Sequence, residues 1–296
     1  MVEGRRRLPR TAPGAAVALY LKGLSFVGSA IRLARQRSGY QRAAGDAGEG
    51  RLVAVMLNLV PTRSRFINAA MKRFAARHPN ARRQLVILGA GFDTHGHSLS
   101  LPLQDDEDAT FTTVIEMDTP TSVTAKRDIL SAAAVPTVAT VTQVPLDHTK
   151  ETWASALERT PWRRDEPTFL LLEGILYYLP PPAVNSIFED ATSALFPRST
   201  IVGDFALRRM YERDCWRTWA FRSALGMIGE PWLSWVGQSG GEEGDGGGGE
   251  SNGGEIERWS GQRGLWVVES VELGVPRLMG LAEWETGRER EGERER

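Results

Sequence analysis

Short apolar runs alternating with amphipathic segments constrain the fold of this 296-residue chain more than any other feature. The run at 84–91 (QLVILGAG) is continuously apolar and ends in glycines, which is typical of a strand buried on both faces of a parallel sheet. Segments 63–78 and 181–196 instead repeat apolar residues at helical spacing. Further predicted elements are strands at 111–118, 137–147, 168–174, 199–205 and 265–273 and a helix at 119–134. This alternation predicts an α/β fold, with a mostly parallel sheet covered by helices on both faces.

Acidic residues stand at the carboxyl ends of most predicted strands. In sheets of this kind, ligands bind outside the carboxyl ends of the strands, near the point where the strand order reverses. Four of the five ends carry acids, so we expect a ligand with hydrogen-bond donors or positive charge. The residues at these ends are Gly89 and Gly91, Glu116 and Asp118, Asp147 and His148, Glu173, and Asp204.

The two glycines after the first predicted strand favour a cofactor site. Glycine allows a ligand to approach the backbone, which a side chain would block. Glu116 and Asp118 follow about two dozen residues later, close to the spacing at which a carboxylate accepts hydrogen bonds from a ribose diol. Nicotinamide dinucleotides and S-adenosylmethionine both carry such a diol, so the spacing leaves both cofactors open. Thr94 stands where the dinucleotide fingerprint places a third glycine, which counts against a nicotinamide-dependent oxidoreductase.

An ordered set of motifs lies between residues 61 and 205: RSRF, QLVILGAGFDT, IEMDTP, LDH and LLLEGILYYLPP. The set resembles the leucine carboxyl methyltransferase family, in its branch of S-adenosylmethionine-dependent methyltransferases. The resemblance implies a class I methyltransferase fold, which is a Rossmann-like, mostly parallel seven-stranded sheet with an N-terminal helical cap. It also implies direct in-line methyl transfer to a carboxylate or hydroxyl oxygen of a small molecule or a protein C-terminus.

The resemblance further implies which residues hold the methionine part of S-adenosylmethionine. Arg63 would pair with the carboxylate of the cofactor, since a guanidinium forks onto a carboxylate. Gly89 and Gly91 would lie under the methionyl and ribose portions, and Glu173 would meet the amino end.

The nucleoside part of the cofactor is assigned in the same way. Asp118, with Glu116 alongside, would accept hydrogen bonds from the ribose hydroxyls. Asp147 and His148 occupy the positions where the family contacts the adenine. No catalytic residue is assigned, because a carboxylate acceptor is already ionised at neutral pH. A hydroxyl acceptor would need a base, for which His148 and Tyr178 are the candidates.

Several positions depart from the family or admit two interpretations. Ser98 stands where the family usually has an arginine, so a catalytically inactive cofactor-binding homologue remains an alternative. We interpret His95 and His97 as part of a polar loop rather than as metal ligands, and expect no metal. Lys126 matches a lysine of the family but is also consistent with a solvated helix face. The tryptophan-rich stretch 208–235 is interpreted as a lid over the acceptor pocket, with an ordinary amphipathic helix pair as the alternative.

Charge and composition predict the domain boundaries. Residues 1–45 carry nine Lys or Arg and one acid, so we interpret 1–60 as a helical cap or an organellar leader. The methyltransferase domain is predicted at 61–284, with a flexible glycine-rich insertion at 239–254 and a charged tail at 285–296.

Composition also limits the partners that we expect. The formal net charge is −1, which does not indicate a nucleic-acid-binding surface. The apolar stretch 14–31 is interrupted by Lys22 and by glycines and serines, so no membrane span is expected. The single cysteine, Cys215, excludes an internal disulfide framework, and a cytoplasmic location is the default expectation.

Overall fold

The computed structural model describes residues 48–93, 95–98, 111–132, 141–148, 150–207, 223, 232–234, 252–273 and 279–287. The chain divides into two compact units, residues 1–60 and 61–296, and the sheet belongs to the second. Most of the predicted N-terminal region, of the insertion at 239–254 and of the charged tail lies outside the described residues. No helix among the described residues is long and apolar enough to cross a membrane.

Seven strands and six α-helices form the described part. The strands are β1 (Gln84–Leu88), β2 (Thr113–Asp118), β3 (Val141–Pro145), β4 (Thr168–Leu172), β5 (Thr200–Ala206), β6 (Leu265–Leu273) and β7 (Met279–Thr286). The α-helices are α1 (Gly48–Arg77), α2 (His95–Ser98), α3 (Pro120–Ala132), α4 (Trp153–Leu157), α5 (Pro181–Ala194) and α6 (Asn252–Gly261). A short 3₁₀ helix, Leu176–Tyr178, follows β4.

The seven strands form one sheet in the order β3-β2-β1-β4-β5-β7-β6. Strands β1 to β5 run parallel, and β7 pairs antiparallel with both β5 and β6. The predicted mostly parallel α/β fold is therefore confirmed. The order reverses between β1 and β4, which is the point where a ligand is expected in such sheets.

Helices cover both faces of the sheet, and the alternation of side chains along β1 shows why. Leu85 and Ile87 point to the face covered by α1, where they pack with Phe66 and Phe74. Val86 and Leu88 point to the face covered by α4, α5 and α6. All four β1 side chains are at most 1% exposed. A strand segment that is buried on both faces favours apolar side chains, which explains the apolar run from Leu85 to Leu88.

Six strands match the predicted ones, but the apolar patterns gave no strand at β7. The bounds of β6 are as predicted, β5 is shifted by one residue, and the other four strands are shorter. Strand β7 has the sequence MGLAEWET, and its two glutamates, Glu283 and Glu285, are buried. Residues 137–140 of the predicted third strand lie outside the described residues. Helix α6 begins at Asn252, so the last three residues of the predicted insertion 239–254 are helical.

Glu283 can be buried because two arginines of α1 neutralise it. Arg73 donates to Glu283 Oε2 from Nε at 2.9 Å and from Nη2 at 2.6 Å. Arg77 Nη2 donates to Glu283 Oε1 at 2.9 Å. The Glu283 side chain is fully buried, whereas Glu269, which also pairs with Arg73, is 44% exposed. These ion pairs fix helix α1 against the antiparallel end of the sheet.

We expect Glu283→Ala to destabilise the fold by about 1.5–3 kcal/mol, because three charge-assisted hydrogen bonds are lost from a buried site. Glu269→Ala is the matched control, since it removes an exposed partner of the same Arg73, and should cost about 0–1 kcal/mol. Urea unfolding followed by far-ultraviolet circular dichroism measures both changes. Equal losses in the two variants would contradict the anchoring role of Glu283.

Candidate functional site

A buried guanidinium lies at the point where the strand order reverses. Arg63, on α1, places Nη2 2.7 Å from Glu173 Oε1, which follows β4, and Nη1 2.9 Å from Asp204 Oδ2, on β5. Burial disfavours the charged form of Arg63, but the carboxylates of Asp204 and Glu173 outweigh it and raise its pKa above the ordinary value. The sequence-predicted pair Arg63 and Glu173 is therefore brought together in the structure.

Asp204 was noted in the sequence only as a strand-end acid, yet it organises this cluster. Its side chain is fully buried, and Oδ1 accepts a hydrogen bond from the backbone N–H of Gly174 at 2.6 Å. The Tyr177 hydroxyl donates to Oδ2 at 3.5 Å. Asp204 thus orients Arg63 and the turn after β4. Its position at a strand end was the signal that could have assigned this role.

The glycine turn after β1 is fixed by backbone conformation and by packing. Gly89 and Gly91 have φ angles of 73° and 40°, which L side chains rarely adopt. A Cβ atom at Gly89 would lie 2.6 Å from Cδ1 and 3.1 Å from Cβ of Ile175. At Gly91 it would come no closer than 4.0 Å to Asp118 Oδ2 or to the Gly89 carbonyl oxygen. Contact with Ile175 is thus one reason for glycine at 89, whereas no described residue fills the space beside Gly91.

Asp118 closes the other end of this turn. Its Oδ2 accepts a hydrogen bond from the Gly91 N–H at 2.7 Å, and Oδ1 accepts one from the Thr119 N–H at 2.6 Å. A small crevice opens here. Its lining residues are Ala90, Gly91, Glu116, Asp118, Val123, Lys126 and Gln143.

Glu116 makes an ion pair at the base of that crevice. Its carboxylate is 2% exposed, lies 2.8 Å from Lys126 Nζ, and accepts a hydrogen bond from Gln143 Nε2 at 3.1 Å. Lys126 also donates to the Asp93 carbonyl at 2.7 Å. The solvated interpretation of Lys126 was therefore wrong, because its side chain is only 5% exposed. This buried pair joins β2, α3 and the loop after Gly91.

Asp147 and His148 follow β3, next to the end of β2. The Leu146 N–H donates to the Asp118 carbonyl at 2.8 Å, which brings the start of this turn beside Asp118. The Asp147 carboxylate pairs with Lys150 at 2.7 Å, and His148 is exposed.

Asp93 and His95 lie beside Glu173, where the sequence had predicted only a polar loop. His95 Nδ1 is 3.0 and 2.9 Å from the two carboxylate oxygens of Asp93 and 3.9 Å from Glu173 Oε2. Burial opposes the charged form of His95, but Asp93 and Glu173 outweigh it and raise its pKa. Burial raises the pKa of Glu173 as well. The side chains of His97 and Ser98 lie outside what the structure describes.

Aromatic side chains border the cluster on the side of the 3₁₀ helix. The rings of Tyr177 and Trp232 lie 4.3 Å apart between centroids, and those of Tyr177 and Tyr178 lie 4.8 Å apart. The Leu233 N–H donates to the Tyr177 carbonyl at 2.6 Å, and Ser234 Oγ donates to the Leu176 carbonyl at 3.0 Å. Most of the predicted lid at 208–235, including Cys215, lies outside the described residues.

Comparison with known families gives a match to more than half of the chain. A family model described as leucine carboxyl methyltransferase matches residues 22–192, which is more than half of the chain. The matched range contains the glycine turn, Arg63, Asp118 and Glu173.

Curated relatives match the central part of the chain. A protein of Mycobacterium ulcerans (strain Agy99) is 35% identical over 155 residues, covering 52% of this chain and 47% of the relative. A protein of Mycobacteroides abscessus is 33% identical over 161 residues, covering 54% of this chain and 48% of the relative. Both carry the name "Putative S-adenosyl-L-methionine-dependent methyltransferase". The chain spans about half the length of the curated relatives it matches.

Solved structures similar to this chain include two at low sequence identity. An O-methyltransferase family protein from Burkholderia thailandensis has 18% identity and a TM-score of 0.45, covering 84% of this chain and 63% of that protein. The pyocyanin biosynthetic protein PhzM has 16% identity and a TM-score of 0.43, covering 84% of this chain and 61% of that protein.

Gly89→Ala should be costly, because its Cβ atom meets Ile175 at a left-handed backbone position. The conformational strain is roughly 1–2 kcal/mol, and displacing Ile175 adds about 1–3 kcal/mol. Gly264→Ala is the matched control, since Gly264 has a φ of 68° and no atom within 4 Å of the added Cβ. Urea unfolding should show a larger loss of unfolding free energy for Gly89→Ala than for Gly264→Ala. Adding Ile175→Val to Gly89→Ala should recover part of that loss. Equal losses at the two glycines would refute the packing explanation.

Proposed function

The chain belongs to the leucine carboxyl methyltransferase family, and from this premise we propose that it is an S-adenosylmethionine-dependent O-methyltransferase. One observation carries the proposal. Arg63 and Glu173 lie on one side of the open glycine turn, and Asp118 lies on the other. The cofactor has an amino-acid end, with one carboxylate and one ammonium, and a ribose diol. These groups are the chemical complements of that arrangement.

Two buried polar atoms support the fit of the amino-acid end. Arg63 Nε and Glu173 Oε2 have no hydrogen-bond partner among the described residues. A buried polar atom without a partner costs about 1–3 kcal/mol, so such atoms in a native protein are often completed by a ligand or by water. Here one atom is a cationic donor and the other a carboxylate acceptor. Arg63 would bind the cofactor carboxylate and Glu173 the ammonium.

The nucleoside would lie along the ends of β2 and β3. The open space beside Gly91 would let the ribose approach the backbone, with Gly89 in the same turn, and Asp118 would accept hydrogen bonds from the ribose hydroxyls. Glu116, alongside Asp118, would act at the base of the crevice through its pair with Lys126. Asp147 and His148 would contact the adenine from the turn after β3.

The cofactor supplies a methyl group already activated by the sulfonium, so this chain's residues have to position and shield it. Arg63, Glu173 and Asp118 would hold the cofactor at both ends, which fixes the methyl direction. In-line alignment of acceptor and leaving group lowers a barrier by up to about 7–11 kcal/mol. The segment Trp232–Ser234, packed on the 3₁₀ helix after Glu173, would form a wall that excludes water from the acceptor.

A carboxylate is the acceptor that the site favours. It is ionised at neutral pH and needs no general base, whereas a hydroxyl acceptor does. Of the two base candidates, His148 is exposed and Tyr178 packs against Tyr177. The acceptor would be a small molecule or a protein C-terminus. The experiments below separate this proposal from three alternatives: a hydroxyl acceptor, an inactive cofactor-binding homologue and a nicotinamide-dependent oxidoreductase.

S-adenosylmethionine and S-adenosylhomocysteine should each raise the melting temperature, and NAD should not. A ligand at 100 times its Kd stabilises the folded state by about 2.7 kcal/mol. Asp118→Asn should weaken binding of both ligands by about 10- to 100-fold, because it replaces a charged hydrogen-bond acceptor.

Asp165→Asn is the control. Asp165 is an exposed carboxylate just before β4, at the amino-terminal end of the parallel strands and therefore away from the site. Differential scanning fluorimetry compares each variant with its own ligand-free melting temperature. Stabilisation by NAD alone would support the oxidoreductase. Unchanged binding in Asp118→Asn would show that the ribose site lies elsewhere.

Products of methyl transfer should be base-labile. A methyl ester releases methanol in mild alkali, whereas a methyl ether does not. Incubation with methyl-labelled S-adenosylmethionine and a panel of carboxylic acids, phenols and C-terminal peptides, followed by alkali treatment, measures the volatile label. Label that stays bound after alkali would indicate a hydroxyl acceptor. Cofactor binding without transfer to any of the three classes would support the inactive homologue.

A further inference from the structure

Asp93 and His95 form a hydrogen-bonded pair that touches the site but has no role in the function proposed above. We propose that both residues belong to the subsite for the amino-acid end of the cofactor, and that His95 releases a proton when the cofactor ammonium enters. This inference rests on the proposed function and deepens it, since it names two more binding residues and a pH dependence.

Local geometry holds the two side chains in place. The His95 N–H donates to Asp93 Oδ1 at 2.6 Å, which fixes the turn between them. The imidazole Nδ1 lies 3.0 and 2.9 Å from the two oxygens of the same carboxylate. His95 and Asp93 are 18% and 11% exposed. The ring is therefore oriented by Asp93 before any ligand binds.

Glu173 links this pair to Arg63. One atom each of Asp93, His95 and Glu173 lies within 4.8 Å of the others. Glu173 Oε1 is paired with Arg63, whereas Oε2 is 3.9 Å from His95 Nδ1 and has no hydrogen-bond partner among the described residues. An ammonium carries three N–H donors, enough to bind Glu173 Oε2 and the Asp93 carboxylate together.

Protonated His95 and the cofactor ammonium then compete for the same two carboxylates. Within the described part of the chain, charged groups that face His95 are Asp93 just before it, Glu173 after β4 and Arg63 on α1. Lys126 reaches the Asp93 carbonyl, but its charge is balanced by Glu116. Burial disfavours the charged imidazole, yet Asp93 and Glu173 together keep the pKa of His95 above its ordinary value. The ligand-free protein therefore favours the charged form of His95 more than water does.

The sign of the pH dependence follows from this competition. An ammonium bound beside His95 adds positive charge and occupies its carboxylates, which lowers the pKa of His95 and sends its proton to solvent. His95 then has a lower pKa in the complex than in the free protein. Between these two pKa values, affinity for the cofactor rises with pH. One linked proton changes the affinity by up to about tenfold per pH unit.

Isothermal titration calorimetry with S-adenosylhomocysteine tests the inference. The titration covers about pH 5.5 to about pH 7.5, below the ordinary pKa of an α-amino group. Repeating it in buffers of different ionisation enthalpy counts the protons released, and we expect close to one proton at the midpoint. Methylthioadenosine, which has no amino-acid end, should bind without proton release. This control needs no variant.

His95→Gln keeps a side-chain donor but cannot titrate, so its affinity should lose most of the pH dependence. His78→Gln is the matched control: His78 follows α1 and contacts the Arg198 carbonyl, away from the crevice, and the variant should release the proton as the wild type does. Proton uptake, equal proton release with methylthioadenosine, or an unchanged pH profile in His95→Gln would each overturn the inference while leaving cofactor binding intact. Absence of binding at every pH would instead contradict the proposed function and, with it, the inference.

Discussion

The ion pairs of Arg63 are the interaction on which the candidate site depends. A single guanidinium joins α1 to Glu173 after β4 and to the fully buried Asp204 on β5, at the reversal of strand order. Buried ion pairs repay their desolvation poorly, so this cluster is weak evidence for stability. It leaves a donor on Arg63 and an acceptor on Glu173 without partners among the described residues. We therefore propose that the cluster is a preformed site for a zwitterionic ligand.

Helix α1 also carries the arginines whose ion pairs hold it against the sheet. Arg73 lies ten residues beyond Arg63, which is about 15 Å along an α-helix, and pairs with Glu283 on β7. Apolar residues between the two arginines, including Ile67 and Ala70, pack against the sheet. One end of this segment is therefore anchored by charge and its middle by apolar contact, which fixes the position of Arg63 over the strand ends.

Sequence patterns predicted the parts of this structure that depend on local burial. Residues Leu85 to Leu88 of strand β1 are apolar because both faces of the strand are covered. The turn after β1 carries Gly89 and Gly91 because their backbone φ angles are positive. Strand β7 was missed, because the burial of Glu283 depends on arginines some 200 residues away in the chain. The burial of Lys126 was missed for a related reason, because its partner Glu116 lies on a separate element. The contact of His95 with Glu173 likewise joins two elements that are far apart in the chain. Charge pairs between separate elements leave no periodic signal.

A crystal structure of the protein with S-adenosylhomocysteine tests the central claim most directly. The account predicts the ribose over the glycine turn with its hydroxyls on Asp118, the carboxylate of the amino-acid end on Arg63, and the ammonium between Glu173 and Asp93. A ligand bound elsewhere, or a crevice that stays empty at saturating ligand while Arg63 keeps both its carboxylate partners, would contradict it.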